Sequence, residues 1–248
     1  MSKGLAGLVV LSWLAAGPAI AAETREFHRT VTLDARGAVS LDTFKGTVQI
    51  EPWDQARAEV SARIEPDTTC GNDSSQAERV RLTEIDVESS ASGLRVRSNY
   101  DKLKDMPMIP LHVEGHDMAC SAHPFIHYRI RMPRTARLDV KDHKSKISFS
   151  GLRADARIVS HKGDIDVKDH DGSLDLATHK GDIDIAIPRS AGFDLEAEVG
   201  RNGRLDTGFE VVARERSKRE RFYEEKVNGG GPRLDLTTKN GVIRLTAK

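Results

Sequence analysis

Four histidines and a cysteine fall within 16 residues of this chain, as His112, His116, Cys120, His123 and His127, with Glu114, Asp117 and Met118 between them. Imidazole and thiolate suit zinc or copper, and a loop could wrap them around one ion. The spacing matches no standard zinc module, and the thiol has a competing use. Only two cysteines are present, Cys70 and Cys120. In an oxidising compartment they are expected to form one disulfide. It would close about 50 residues and contribute on the order of 3 to 4 kcal/mol. The expectation is therefore no bound metal and no cofactor, with a metal-binding loop 112–127 kept as the alternative.

A second set is periodic. His143, His161 and His179 recur every 18 residues, each followed by a lysine, Lys144, Lys162 and Lys180. Asp164 and Asp182 follow, then Asp166 and Asp184. A histidine column at strand spacing could hold a metal, or act as a proton-sensitive strip because imidazolium charges one step apart repel. The plainer reading is a solvated turn, since neighbours along one line do not close a tetrahedral site. A third set, Arg214 to Arg221, reads Arg-Glu-Arg-Ser-Lys-Arg-Glu-Arg. It could dock on acidic polysaccharide or lipid A phosphates, although its glutamates blunt the charge and a solvated hairpin tip is the plainer reading. The aspartate columns raise an enzyme reading, which needs clustered carboxylates in a groove with a base of tuned pKa. Their abundance follows from the repeat, so no catalytic residue is assigned and no enzyme is expected.

The elements that position these residues come from a hydrophobic pattern. Five stretches carry apolar residues at offsets 0, 2, 9 and 11: Val39/Leu41/Val48/Ile50, Leu138/Val140/Ile147/Phe149, Ala156/Ile158/Ile165/Val167, Leu174/Leu176/Ile183/Ile185 and Leu234/Leu236/Ile243/Leu245. At offset 7 stand Gly46, Ser145, Gly163, Gly181 and Gly241. Alternation on both sides of a turn means two short strands per copy, each with one apolar face. A fixed step of 18 predicts copies that stack in register, because no copy buries its own face. The fold class expected is all-β, a parallel β-solenoid with an antiparallel strand-rich insertion and a C-terminal hairpin. Regular rungs cover 134–187 and a closing rung 232–246. Glycine at offset 7 fits a turn with positive φ, and Ser145 predicts a different turn.

Residues 1–22 read as a signal peptide: Lys3, an apolar run from Leu5 to Ala16, the breakers Gly17 and Pro18, and the cleavage site Ala19-Ile20-Ala21. The run is shorter than the roughly 20 residues a membrane span needs. Removing 22 of 248 residues leaves one domain, 23–248, expected to be periplasmic or secreted. The formal charge of zero gives no global field toward nucleic acid or anionic membrane.

Along that domain, Glu26 to Leu33 reads as a lead-in strand and Trp53 as a corner residue over the core. Val60/Ala62/Ile64, Leu82 to Val87 and Leu94/Val96 read as strands, with a polar turn at Cys70 to Ser75. Residues 99–123 have no period and read as a long loop. Tyr128/Ile130/Met132 feeds the consecutive copies, and Phe193/Leu195 starts a rung that breaks at Gly200 to Gly203. Phe209 to Ala213 and Phe222 to Val227 form the hairpin, and no amphipathic helix follows the signal peptide.

The run Tyr128-x-Ile130-x-Met132-Pro133, the repeats Ser160 to Val167 and Thr178 to Ile185, Gly229-Gly230-Gly231-Pro232 and the closing Thr238 to Leu245 resemble a bacterial β-strand-repeat domain of unknown function described as a putative adhesin. That family usually has Val-Asn where this chain has His-Lys before the glycine. The resemblance implies an exported or envelope-facing β-solenoid and brings no catalytic residues. The leading reading is a noncatalytic scaffold or binding module for envelope protein or glycan, with no nucleic acid, no transmembrane anchor and homo-oligomerisation through end rungs open to it. A metal-binding protein is the second reading and a carbohydrate-active enzyme the third.

Inward and outward positions alternate, so Ile165→Asp should cost more than the roughly 1.5 to 3 kcal/mol of a buried aliphatic side chain. Asp166→Ser should change stability by less than about 1 kcal/mol. Equal shifts in melting temperature would overturn the assignment.

Overall fold

Alternation in sequence becomes alternation in burial. In the strand Arg137–Asp142, Leu138 and Val140 are buried while Arg137 and Lys141 are exposed, and in Ile165–Lys168 the buried residues are Ile165 and Val167. The computed structural model describes residues 23–71, 75–113, 115–217 and 220–248. The signal peptide expected over 1–22 lies outside the described residues.

The five copies stack in register. Val39, Leu138, Ala156, Leu174 and Leu234 are successive parallel partners, as are Val48, Ile147, Ile165, Ile183 and Ile243. Residues 18 apart are thus vertical neighbours, and the two inward columns meet in one continuous apolar core. Among the described residues the strands form a nine-stranded sheet, a ten-stranded sheet and a two-stranded hairpin.

Both large sheets are mixed, which corrects the expected parallel β-solenoid; the class is all-β. Antiparallel strands close the ends. Arg25–Thr32 pairs with Arg57–Glu65, which pairs with Phe125–Pro133, at one end of the first sheet. In the second sheet Glu84–Ser90 pairs with Gly93–Asn99 at one end, and Ala213–Ser217 and Glu220–Val227 extend Phe193–Gly200 at the other. Antiparallel hairpins cover sheet ends that would otherwise offer open backbone over a stacked core.

The sequence pattern missed two further layers. Leu94 and Val96 stack on Val39 and Leu41, while Tyr128 and Ile130 stack on Val48 and Ile50. This layer obeys the pattern once residues 100–124 are seen as an insertion at its turn. At the far end Leu195 stacks on Leu234 and Leu205 on Ile243. The spacing there is ten rather than nine, so the expected break at Gly200 to Gly203 is a longer turn inside a layer. The C-terminal copy is therefore threaded between copy 174–187 and this layer.

Other expectations are corrected locally. Ser75–Leu82 is an α-helix and the following strand begins at Glu84, where a polar turn and a strand from Leu82 were expected. The helix buries Gln76, Arg79 and Val80, a spacing too polar to register as an amphipathic stripe. Residues 99–123 hold a short 3₁₀ turn, Asp101–Leu103, and a hairpin of Ile109–Val113 with His116–Cys120. The C-terminal hairpin begins at Ala213, not Phe209. Trp53 takes the Arg57 and Arg131 guanidinium groups against its ring at 5.0 and 5.8 Å, and its indole N–H donates to the Arg57 carbonyl.

The glycines at offset 7 answer to packing. A Cβ on Gly163 would stand 2.1 Å from the Ser145 carbonyl oxygen, on Gly181 2.2 Å from that of Gly163, and on Gly241 1.9 Å from that of Gly181. Of the four offset-7 glycines, only Gly46 has positive φ, at 136°. At Ser145 the turn does differ: its N–H donates to the Asp142 carboxylate at 2.8 Å, and its strand starts earlier, at Lys144.

Gly181→Ala should therefore destabilise by about 1 to 3 kcal/mol despite an ordinary backbone conformation, because the layers must part. Thermal unfolding measures it; a loss under about 0.5 kcal/mol would mean that the layers are not held at this distance.

Candidate functional site

The turn after the first strand of each copy brings the periodic chemistry to one edge of the molecule. Its inner side is a hydroxyl ladder. Ser160 donates to Asp142 at 2.6 Å and accepts the Gly163 N–H at 2.8 Å, and Thr178 and Thr238 donate to the carbonyls of Gly163 and Gly181 at 3.1 Å. These bonds lock each turn to the one before it.

Outside this ladder the imidazoles stack. His143 and His161 lie 4.8 Å apart with planes 10° from parallel, and His161 and His179 lie 5.0 Å apart at 3°. Phe44 continues the column, 4.9 Å from His143 at 7°. Tyr100 closes it edge-on against Phe44, and His123 lies against the same ring tilted by 49°. Phe44 occupies the same offset as the histidines, so the pattern itself could have revealed it. Ring nitrogen lone pairs lie in the ring planes, so parallel stacked rings aim them side by side. They cannot converge on one ion at the roughly 2.0 to 2.1 Å a zinc–imidazole bond requires.

The electrostatics of the edge are cationic. Burial pulls the His143 pKa down, as does Lys144. Desolvation lowers His161 as well, helped by His143, His179, Lys162 and Lys180, with no carboxylate opposing. Lys144, Lys162 and Lys180 are exposed, and none has an ion-pair partner among the described residues. Lys239 follows His179 in the column and is held by Glu198 at 2.5 Å and Glu220 at 3.4 Å.

The carboxylates stitch layers together. Asp164 accepts the Asp182 N–H at 2.9 Å, Asp182 accepts the Val242 N–H at 2.8 Å, and Asp155 accepts the Ser173 N–H at 2.9 Å. Arg244 binds both Asp182 and Asp184. Asp166 pairs with Lys168 at 2.9 Å.

The loop histidines are not brought together. His116 is exposed on its strand. His123 packs against Phe44 and Tyr100, and His127 sits between Glu65 at 3.1 Å and Thr47 at 3.0 Å. The backbone of His112 lies in a strand, and its side chain is outside the described residues. Cys70 and Cys120 form a disulfide, Cα to Cα 5.7 Å. The one group of potential ligands among the described residues, Asp67, Cys70 and Cys120, includes both bonded sulfurs. Beside them Lys45 and Asp67 form a buried ion pair. Burial outweighs Asp67 and lowers Lys45, whereas Lys45 and Thr69 hold Asp67 low despite its burial. Buried Arg79 donates to the carbonyls of Ser121 and Pro107, fastening the insertion to the helix. In the basic tip, Lys218, Arg219 and the side chains of Arg214 to Arg216 lie outside the described residues.

At the opposite edge, Leu152, His170 and Pro188 share one offset. Leu152 is fully buried, and His170 meets Phe149 edge-on at 5.7 Å. His170 borders a cleft of about 350 Å³ with Leu174, Ile187 and Phe193. Arg153, also on the cleft, is committed to Asp169 at 2.9 Å. Burial pushes the His170 pKa down, the Gly172 and Ser173 backbone opposing. An imidazole here is a titratable group in a leucine's position.

No protein-family model matches this chain, and no curated protein sequence matches it. A solved structure of a putative cell adhesion protein from Clostridium sporogenes is similar to it at a TM-score of 0.60 and 10% identity, covering 91% of this chain and all of that one. The likeness is one of fold. Putative adhesins from Bacteroides fragilis and Parabacteroides merdae align at TM-scores of 0.29 and 0.21, with 11% and 8% identity, covering 89% of this chain and 97% and 96% of theirs. The β-strand-repeat resemblance thus agrees in fold with a solved bacterial protein.

His170 binds its proton less readily folded than unfolded, so stability falls as pH drops through the ordinary histidine range toward the lower folded value. His170→Leu should raise the melting temperature, and by more near pH 5.5 than near pH 8, where the ring is neutral in both states. An equal gain at both pH values would overturn this.

Proposed function

We propose that this chain is an exported, noncatalytic envelope protein, an adhesin-like binding module of one domain over 23–248 behind a signal peptide over 1–22. In this reading the parallel copies of 134–187 and 232–246 form a short solenoid-like stretch that displays repeated side chains. The carrying observation is the edge where Lys144, Lys162 and Lys180 stand exposed, with no carboxylate partner among the described residues, beside stacked His143, His161 and His179. A rigid backbone ladder holds the bases of such side chains in line without backbone ordering on binding, which favours recognition of an extended partner. The cell-adhesion description of the similar Clostridium sporogenes structure supports the reading.

Export is supported by the Cys70–Cys120 disulfide, which persists in oxidising compartments. It supports a periplasmic or secreted location. Among the described residues no helix is long and apolar enough to cross a membrane. The noncatalytic reading is supported by the aspartates, whose oxygens bind backbone N–H groups and arginines.

A photo-crosslinking residue placed at His161 in the exported protein should capture an envelope component, and one placed at Glu88, on the far end of the second sheet, should not. No capture at His161, or equal capture at both, would overturn the binding-module reading.

A further inference from the structure

The exposed edge carries three kinds of information about a ligand. Its charge is positive: each lysine lacks a carboxylate partner, and the nearest acids are turned elsewhere. Asp142 accepts from Ser145 and Ser160, and Asp164 and Asp182 accept from the next layer. Its shape is linear and periodic, one lysine and one histidine per layer, at the strand spacing of about 4.8 Å. Its aromatic faces are mostly consumed, because His143 and His161 are each sandwiched between two rings and His179 is covered by His161 on one face, with Lys239 next in the column. Nucleobases bind single-strand channels by stacking on free aromatic faces. This edge offers ring N–H groups and ammonium groups instead.

Resting on the binding-module reading, we infer that Lys144, Lys162 and Lys180, with His143, His161 and His179, form a binding strip for a linear anionic glycan, a polymer bearing one carboxylate or sulfate on successive sugars. Each layer gives one ammonium to an anionic group, and the imidazole beside it hydrogen-bonds to a sugar hydroxyl or the same anion. The strip ends where Lys239 is neutralised by Glu198 and Glu220 at one end, and where Lys45 is buried against Asp67 at the other. Three layers, and so about three successive anionic groups, are therefore engaged.

Acid strengthens the strip. His161 faces only cations, His143, His179, Lys162 and Lys180. His143 faces Lys144, Lys162 and Asp142, and beyond His179 lie Lys239 with Glu198 and Glu220. A polyanion laid over the strip offsets their mutual repulsion, so protonation and binding favour each other.

The test uses the mature chain with four probes: heparin oligosaccharides, polygalacturonate oligosaccharides, neutral dextran and oligodeoxythymidine. Calorimetry should show both anionic glycans bound, dextran not bound and oligodeoxythymidine bound more weakly. The variant K144Q/K162Q/K180Q should lose about tenfold or more in affinity and flatten the salt dependence. The charge-matched K104Q/K168Q/K226Q should bind like the parent. H143Q/H161Q/H179Q should keep binding near pH 8 and lose the gain seen near pH 5.5. Unchanged binding by the lysine variant, equal loss in the control, or tighter binding of oligodeoxythymidine would overturn the inference. If no polyanion binds while crosslinking at His161 still captures an envelope component, the glycan inference fails and the binding-module reading stands.

Discussion

Everything in this molecule depends on how closely one layer of backbone lies on the next. At the turns, the carbonyl oxygen of one copy sits where the following copy would place a Cβ, 2.1 Å away at Gly163 and 2.2 Å at Gly181. That contact holds successive turns in line. It lets Thr178 reach the Gly163 carbonyl and Thr238 that of Gly181, so these two hydroxyls are satisfied by the layer beneath. Once the turns are aligned, the apolar columns from Val48 to Ile243 follow as a consequence of register.

The same alignment sorts the charged residues by role. Aspartates just past each glycine lie within reach of backbone N–H groups one layer on, and arginine bridges such as Arg157 to Asp175 run up the sheet faces. Lysines beside the stacked imidazoles have no such partner above or below, because their vertical neighbours are other lysines or, beyond Lys180, Asn240. A repeat that makes acids structural leaves its cations free at the edge, and so produces local positive charge in a chain of zero net charge.

Two ends of the stack solve the exposed-layer problem differently. One end uses an insertion, residues 100–124, bound by the disulfide and Arg79 beside the Lys45–Asp67 pair, and it seats Tyr100 and His123 on the top of the aromatic column. The other end folds the chain back, so that the C-terminal copy is covered by strands 193–200 and 204–207. Neither arrangement is periodic. Both spend long-range contacts on covering apolar columns that the repeat alone leaves open.

The sequence by itself determined the inward columns, the neighbours 18 residues apart and the cysteine pair, because period-2 burial, a constant step and a count of two leave few alternatives. It also placed His143, His161 and His179 in one column. Tertiary structure decided the rest. That Gly163, Gly181 and Gly241 answer to a carbonyl from another layer is invisible in local backbone preference. That Leu94 and Tyr128 belong to one layer is hidden by the insertion between them, and that Leu205 completes another is hidden by one extra residue. That the loop histidines part company, while those of the column stack face to face, was decided by which layer each turn lands on, since side-chain chemistry is set by vertical neighbours and these lie far away along the chain.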